Sequence, residues 1–149
     1  MPPPEASFVV QAWLGRARVD LGTARTLLRD RTETAAWAAC FHAQQAAEKF
    51  LKATLAASGT EPPHVHNLVA LHARLSPTLE LAADVDLATL TTYATGPRYA
   101  FSDFPAEPEP TWSDAELALA WATAVGQAVQ ARLAAGGVTS DKRETSDGT

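Results

Sequence analysis

The chain has 149 residues, 46% hydrophobic and 19% charged, which suits one domain with a sizeable core and is too short for two ordinary ones. Its formal net charge of −5 excludes a generally basic nucleic-acid-binding surface, and a single cysteine, Cys40, excludes an internal disulfide framework and a cysteine-based zinc site. No apolar run approaches the ~18 residues of a membrane span, and the opening Met1-Pro2-Pro3-Pro4-Glu5 lacks the basic and apolar regions of a secretory signal, so a reduced, cytoplasmic setting is expected. Thirty-one alanines, against eight glycines and ten prolines, favour closely packed helices over a sheet.

The first periodic stretch runs from about Ser7 to Asp30. Val10, Leu14, Ala17, Leu21, Ala24 and Leu28 recur at alternating steps of four and three, which is the spacing of one helix face. Ser7 is the expected N-cap, and Arg16, Arg18, Arg25, Arg29 and Arg31 decorate the segment against Asp20 and Asp30. A second helix is expected from Thr34 to Ala57, ended by Ser58-Gly59 and by Pro62-Pro63. A short third helix follows over Asn67–Leu75, and a fourth starts at Asp84 or Asp86 and stops before Gly96-Pro97. The connection from Gly96 to Pro110 is long and rich in proline and acids. The last helix has a capping-box pattern in Ser113 and Glu116, with Trp112 placed to staple onto Leu117, and runs to about Ala135 before Gly136-Gly137. The expected fold is therefore all-α: an up-and-down bundle of four main helices plus one short helix over residues 7–135, with a flexible start over 1–6 and a disordered polar tail over 136–149.

The second helix carries the chemistry. At about 100° per residue, Trp37, Phe41, Gln44, Gln45, Glu48, Lys52 and Leu55 share one sector, beside an apolar sector that includes Cys40. A polar strip bounded by aromatic and aliphatic residues is unlike a solvent face. Its groups are expected to pair among themselves or with a neighbouring helix, because unpaired burial costs roughly 1–3 kcal/mol per group. Gln45, Glu48 and Lys52 thus form either a structural or dimer-interface network or a direct ligand contact. Asp20 is a candidate partner for Lys52 or Arg98. His64, His66 and His72 do not have the i,i+4 spacing of a helical metal pair and read as turn histidines, so no metal and no cofactor are expected.

Trp13-Leu14-x-x-Ala17-x-x-Asp20-Leu21 opens a resemblance that sharpens in Phe41-His42-Ala43-Gln44-Gln45-Ala46-Ala47-Glu48-Lys49-x-x-Lys52-Ala53. It continues through His66-Asn67-Leu68 and Arg98-Tyr99. Over roughly Trp13 to Leu133 the chain resembles the HEPN domains, small α-helical bundles, although Ala100 stands where that family usually has proline. The resemblance implies one of two chemistries. Many members are ribonucleases carrying Arg-x(4–6)-His, two copies of which meet at a dimer interface. Others lack the motif and act as nucleotide-binding or substrate-binding partners of minimal nucleotidyltransferases.

None of His42, His64, His66 and His72 follows an arginine by five to seven positions, and no histidine occurs after Arg98. The nuclease motif is absent, and with it the obvious acid or base for cleaving RNA near neutral pH. The expectation is a homodimeric module without catalytic residues. It binds a nucleotide or other phosphorylated small molecule, or a minimal nucleotidyltransferase, and neither RNA nor a membrane is an expected partner. Gln45, Glu48, Lys52, His66, Arg98 and Tyr99 are the candidate ligand-binding or interface residues. Arg98 would meet a phosphate or anchor its loop, and Tyr99 would stack or pack. The alternatives are a metal-independent ribonuclease with a divergent site using His66 or His42, and an interaction protein of the toxin–antitoxin kind that acts by sequestration.

Overall fold

A computed structural model describes residues 4–31, 36–94 and 109–136, which form five helices and no strand. They are α1 (Pro4–Asp30), α2 (Ala36–Ala57), α3 (Leu68–Ala73), α4 (Leu87–Thr91) and α5 (Trp112–Ala135). The all-α bundle expected from the sequence is thus what the chain forms. Three long helices carry it and two short ones close it: the fourth starts at the expected Asp86 cap but keeps α-helical geometry for only five residues, continuing as a 3-10 turn over 92–94. After Leu90 come Thr91 and Thr92, whose hydroxyls donate to the carbonyls of Leu87 (2.7 Å) and Thr89 (2.6 Å). Such back-bonding by β-branched hydroxyl residues competes with helix propagation.

All six residues of the α1 periodic stripe, Val10, Leu14, Ala17, Leu21, Ala24 and Leu28, are buried. α1 begins at Pro4, a turn earlier than expected, so Ser7 lies inside the helix and does not cap it, and the anticipated flexible start overlaps α1. Proline is tolerated there, since the first helical N–H groups have no intrahelical acceptor. α2 is the hub and touches every other helix, with α1 and α5 against its long sides. Alanine makes that close approach feasible: Ala39, Ala43, Ala46, Ala47 and Ala53 of α2 meet Ala115, Ala118 and Ala122 of α5 in one core with Phe50, Leu51, Val125 and Val129. Cys40 is fully buried among them, as its sector position implied.

The caps show where each helix starts. Asn67 accepts from Ala70 N at 3.1 Å to begin α3, and Asp86 accepts from Thr89 N at 2.9 Å to begin α4. In α5 the capping box is formed by Thr111 and Asp114, which exchange bonds of 2.8 and 3.1 Å. The Ser113–Glu116 box and the Trp112–Leu117 staple do not form. Thr-x-x-Asp two positions upstream satisfies the same reciprocal geometry. Glu116 pairs instead with Arg31 at the end of α1, Leu117 is 52% exposed, and Trp112 lies beneath the Arg31 guanidinium, 5.9 Å from the ring centroid. The long loop expected over 96–110 and the polar tail fall almost wholly outside the described residues. No helix among the described residues is long and apolar enough to cross a membrane.

Candidate functional site

Gln44, Glu48 and Lys52 recur every fourth residue on α2, so their side chains stack along one line of the helix. All three are buried, with relative exposures of 0%, 4% and 5%. Burial of this kind is tolerated only where partners are supplied, and here they are. Glu48 Oε1 accepts from Gln44 Nε2 at 3.4 Å and lies 2.7 Å from His66 Nδ1, while Oε2 accepts from Lys52 Nζ at 3.2 Å. Gln44 also donates to the His66 carbonyl at 3.2 Å and accepts from Gln45 Nε2 at 2.7 Å. The Lys52 ammonium sits 5.7 Å from the centroid of the Trp13 ring, so a cation–π contact from α1 completes its surroundings.

His66 is held from below and open from above. A carboxylate only accepts, so Nδ1 carries the proton in this contact, and Nε2 has no hydrogen-bond partner among the described residues, on a side chain that is 66% exposed. The residue comes from the α2–α3 connection, just before the Asn67 cap, and its bond to Glu48 fastens that connection to α2.

A second polar cluster lies on the neighbouring face of α2. Asp20 of α1, 8% exposed, lies 2.8 Å from His42 Nδ1 through Oδ1 and accepts from Lys49 Nζ through Oδ2. Asp20 is therefore committed to these two groups and not to Lys52, which pairs with Glu48 one face away. His42 and Lys49 are seven residues apart, which places both towards α1. Their sequence signal is that heptad spacing together with one carboxylate interrupting an apolar stretch of α1.

The structure thus brings Gln45, Glu48, Lys52 and His66 together. Arg98 and Tyr99 lie outside the described residues. His72 belongs elsewhere, with Nε2 2.8 Å from the Leu79 carbonyl, and no group of three or more metal-capable side chains occurs among the described residues. Cys40 is unfit as a nucleophile: burial, reinforced by the charge of Asp114, pushes its thiol up to about 12. A shallow hollow of about 590 Å³ lies between α1 and α5, lined by Leu28, Arg29, Arg31, Glu116, Leu119 and neighbours, away from the α2 strip.

A comparison with curated proteins finds no match. Among solved structures the chain is similar to TT1696 from Thermus thermophilus, at 32% identity and a TM-score of 0.69, covering 83% of this chain and 98% of that one. It is also similar to ST0689, an archaeal HEPN homologue, at 26% identity and a TM-score of 0.60, covering 87% of this chain and 98% of that one. The model of the HEPN domain matches residues 10–132, a span that takes in the α1 stripe, the α2 polar strip with its histidine clasp and nearly all of α5. Sequence, fold and relatives agree that the chain belongs to the HEPN domain family.

Proposed function

We propose that this chain is a non-catalytic HEPN subunit of the cytoplasm that works by binding: a homodimer that takes a minimal nucleotidyltransferase as partner, or a nucleotide or other phosphorylated small molecule as ligand. The observation that carries this reading is the closure of the α2 network. Glu48 and Lys52 direct their charges at each other, at Gln44, His66 and Trp13, inside the bundle. A buried, mutually satisfied pair is poorly placed to exchange protons with a substrate or to grip a phosphate, and the Arg-x(4–6)-His pair that would cleave RNA is missing from the sequence. The strip then serves as scaffold, shaping the surface a partner meets.

The test is thermal unfolding of the purified chain against nucleoside mono-, di- and triphosphates with and without Mg²⁺, run beside sedimentation with a minimal nucleotidyltransferase. Ligand at about 100 times its Kd stabilises by about 2.7 kcal/mol, which raises the midpoint by several degrees. Such a shift for one nucleotide class, or a stoichiometric complex with the nucleotidyltransferase, supports the reading. A flat panel together with no complex overturns it.

One observation favours a second reading, the divergent ribonuclease. His66 has the arrangement of a carboxylate-oriented base, with one nitrogen held by buried Glu48 on a side chain that is 66% exposed. RNA cleavage in EDTA that disappears in His66→Ala and survives in His42→Ala would establish it.

A further inference from the structure

The charged groups of the α2 strip are spent on one another, so a phosphorylated ligand has to be met elsewhere. The hollow between α1 and α5 has the groups for it. Leu28, Leu119, Ala120 and Ala124 give it an apolar floor, and Thr123 and Gln127 add a hydroxyl and an amide. Arg29 and Arg31 stand on its α1 side, with Glu116 beside them. Its volume of about 590 Å³ falls within the ~300–1,000 Å³ of small-molecule sites.

Arg31 ends α1 in a conformation that arginine seldom adopts. Its φ of 43° lies in the left-handed region, where glycine is the usual choice at a helix end. The capping bond runs from its N–H to the Leu27 carbonyl at 2.9 Å and needs only a backbone. Arginine adds a side chain held at three points. Nε donates to the Leu28 carbonyl at 3.2 Å, a terminal nitrogen pairs with Glu116, and the guanidinium lies over Trp112. A side chain fixed in this way has little freedom left to lose when a ligand arrives. A guanidinium has five N–H donors, and these bonds use two, so three stay available on a half-exposed group at the edge of the hollow. Arg29 gives one donor to Asp30, and exposed Arg25 lies one turn earlier on the same edge of α1. Three arginines thus meet two carboxylates here, in a chain whose net charge is −5.

We propose that this hollow is a nucleoside monophosphate site, with the phosphate at Arg29 and Arg31 and the base on the apolar floor, Gln127 and Thr123 at its edge. This site rests on the ligand-binding reading proposed above and gives that ligand its place. The guanidinium fork matches phosphate oxygens in pairs, and the aliphatic floor accepts the flat face of a base but not a second charge. Glu116 opposes the phosphate twice, by holding Arg31 and by its own charge. Its removal therefore separates a binding role of Arg31 from a structural one.

The test is calorimetric titration of the full chain, without metal, with AMP, GMP, CMP and UMP, the nucleoside of the best of them, and ribose 5-phosphate. The best monophosphate is expected to bind about tenfold or more tightly than either fragment, and more weakly as salt is raised. Arg31→Gly suits the left-handed backbone and leaves the capping bond in place, and it should weaken that nucleotide about tenfold. Ala120→Glu, which puts an acid on an exposed part of the floor, should weaken it as much. Glu116→Gln should tighten it about threefold, a gain that loss of a merely structural ion pair would not produce. Arg16→Gln, about 140° around α1 from Arg29, should leave affinity unchanged. Circular dichroism checks that each variant folds. Affinity indifferent to both Arg31→Gly and Ala120→Glu, weakened by Glu116→Gln, or matched by ribose 5-phosphate overturns this site while the ligand-binding reading stands. A chain that binds none of the four monophosphates also overturns it, and the proposed function is then decided by the other nucleotides and the nucleotidyltransferase complex.

Discussion

Glu48 and His66 meet at 2.7 Å, the carboxylate buried beneath α2's neighbours and the imidazole at the surface. This clasp, with Lys52 on the other carboxylate oxygen, ties the α2–α3 connection to the centre of the bundle. Removing one member of a buried ion pair costs about 3–5 kcal/mol, because the remaining charge is stranded, whereas replacing both with groups of similar shape is often neutral. Glu48→Ala should therefore be strongly destabilising, and Lys52→Met less so, since Glu48 keeps His66 and Gln44. The double variant Glu48→Gln/Lys52→Met should recover much of the loss. Urea unfolding of the four-member cycle checks this; strict additivity of Glu48→Gln and Lys52→Met would show that the two side chains act independently.

The Phe50 ring and Gly126 form a tight approach between α2 and α5. A Cβ at Gly126 would stand 2.7 Å from Phe50 Cε2, and Phe50 is fully buried. Alanine is the better helix former by about 1 kcal/mol, but forcing a methyl group into a packed core costs about 1–3 kcal/mol. Overpacking should win. Gly126→Ala is expected to lower Tm, and Gly126→Ala combined with Phe50→Leu should recover part of the loss.

The fold was legible in the sequence wherever a period or a turn residue dictated it. The six-residue stripe of α1 and the stop at Gly136 fall where spacing places them. Other features depended on choices between equivalent local options. Thr111-x-x-Asp114 and Ser113-x-x-Glu116 both spell a capping box; the first forms, while Glu116 pairs with the distant Arg31. The α2 strip was legible as geometry, since buried polar residues must find partners. The partner of Asp20 was not, because Lys49 and Lys52 both lie within reach on adjacent faces, and helix–helix rotation decides between them. Nothing local announces that Glu48 would clasp His66 across the α2–α3 connection.

Stability should fall on the alkaline side for a specific reason. Burial pushes the Cys40 thiol up to about 12 and the Tyr93 phenol up to about 12, each above its ordinary value. Both groups are neutral acids in the fold, so the unfolded chain releases their protons first. Their contribution is intact below about pH 8.5 and is lost progressively as pH rises through the ordinary thiol and phenol range towards 12. Tm measured from about pH 7 to about pH 11 should decline more steeply in the native sequence than in Cys40→Ala. A thiol reagent at about pH 8 should label Cys40 only at the rate of unfolding.

Gly15 and Gly22 lie inside α1 with open space where a side chain would begin. With no atom within 4 Å of either Cβ position, alanine fits at both without a clash. Each glycine-to-alanine change should then stabilise the separated chain by about 0.5–1 kcal/mol through helix propensity alone. Measured at a concentration where the chain is monomeric, Gly15→Ala and Gly22→Ala should each raise Tm, and together they should add, being about two helical turns apart. A fall in monomer stability would mean that these glycines serve packing inside the chain. A rise would mean that helix propensity alone governs both positions and that neither glycine is required by packing inside the chain.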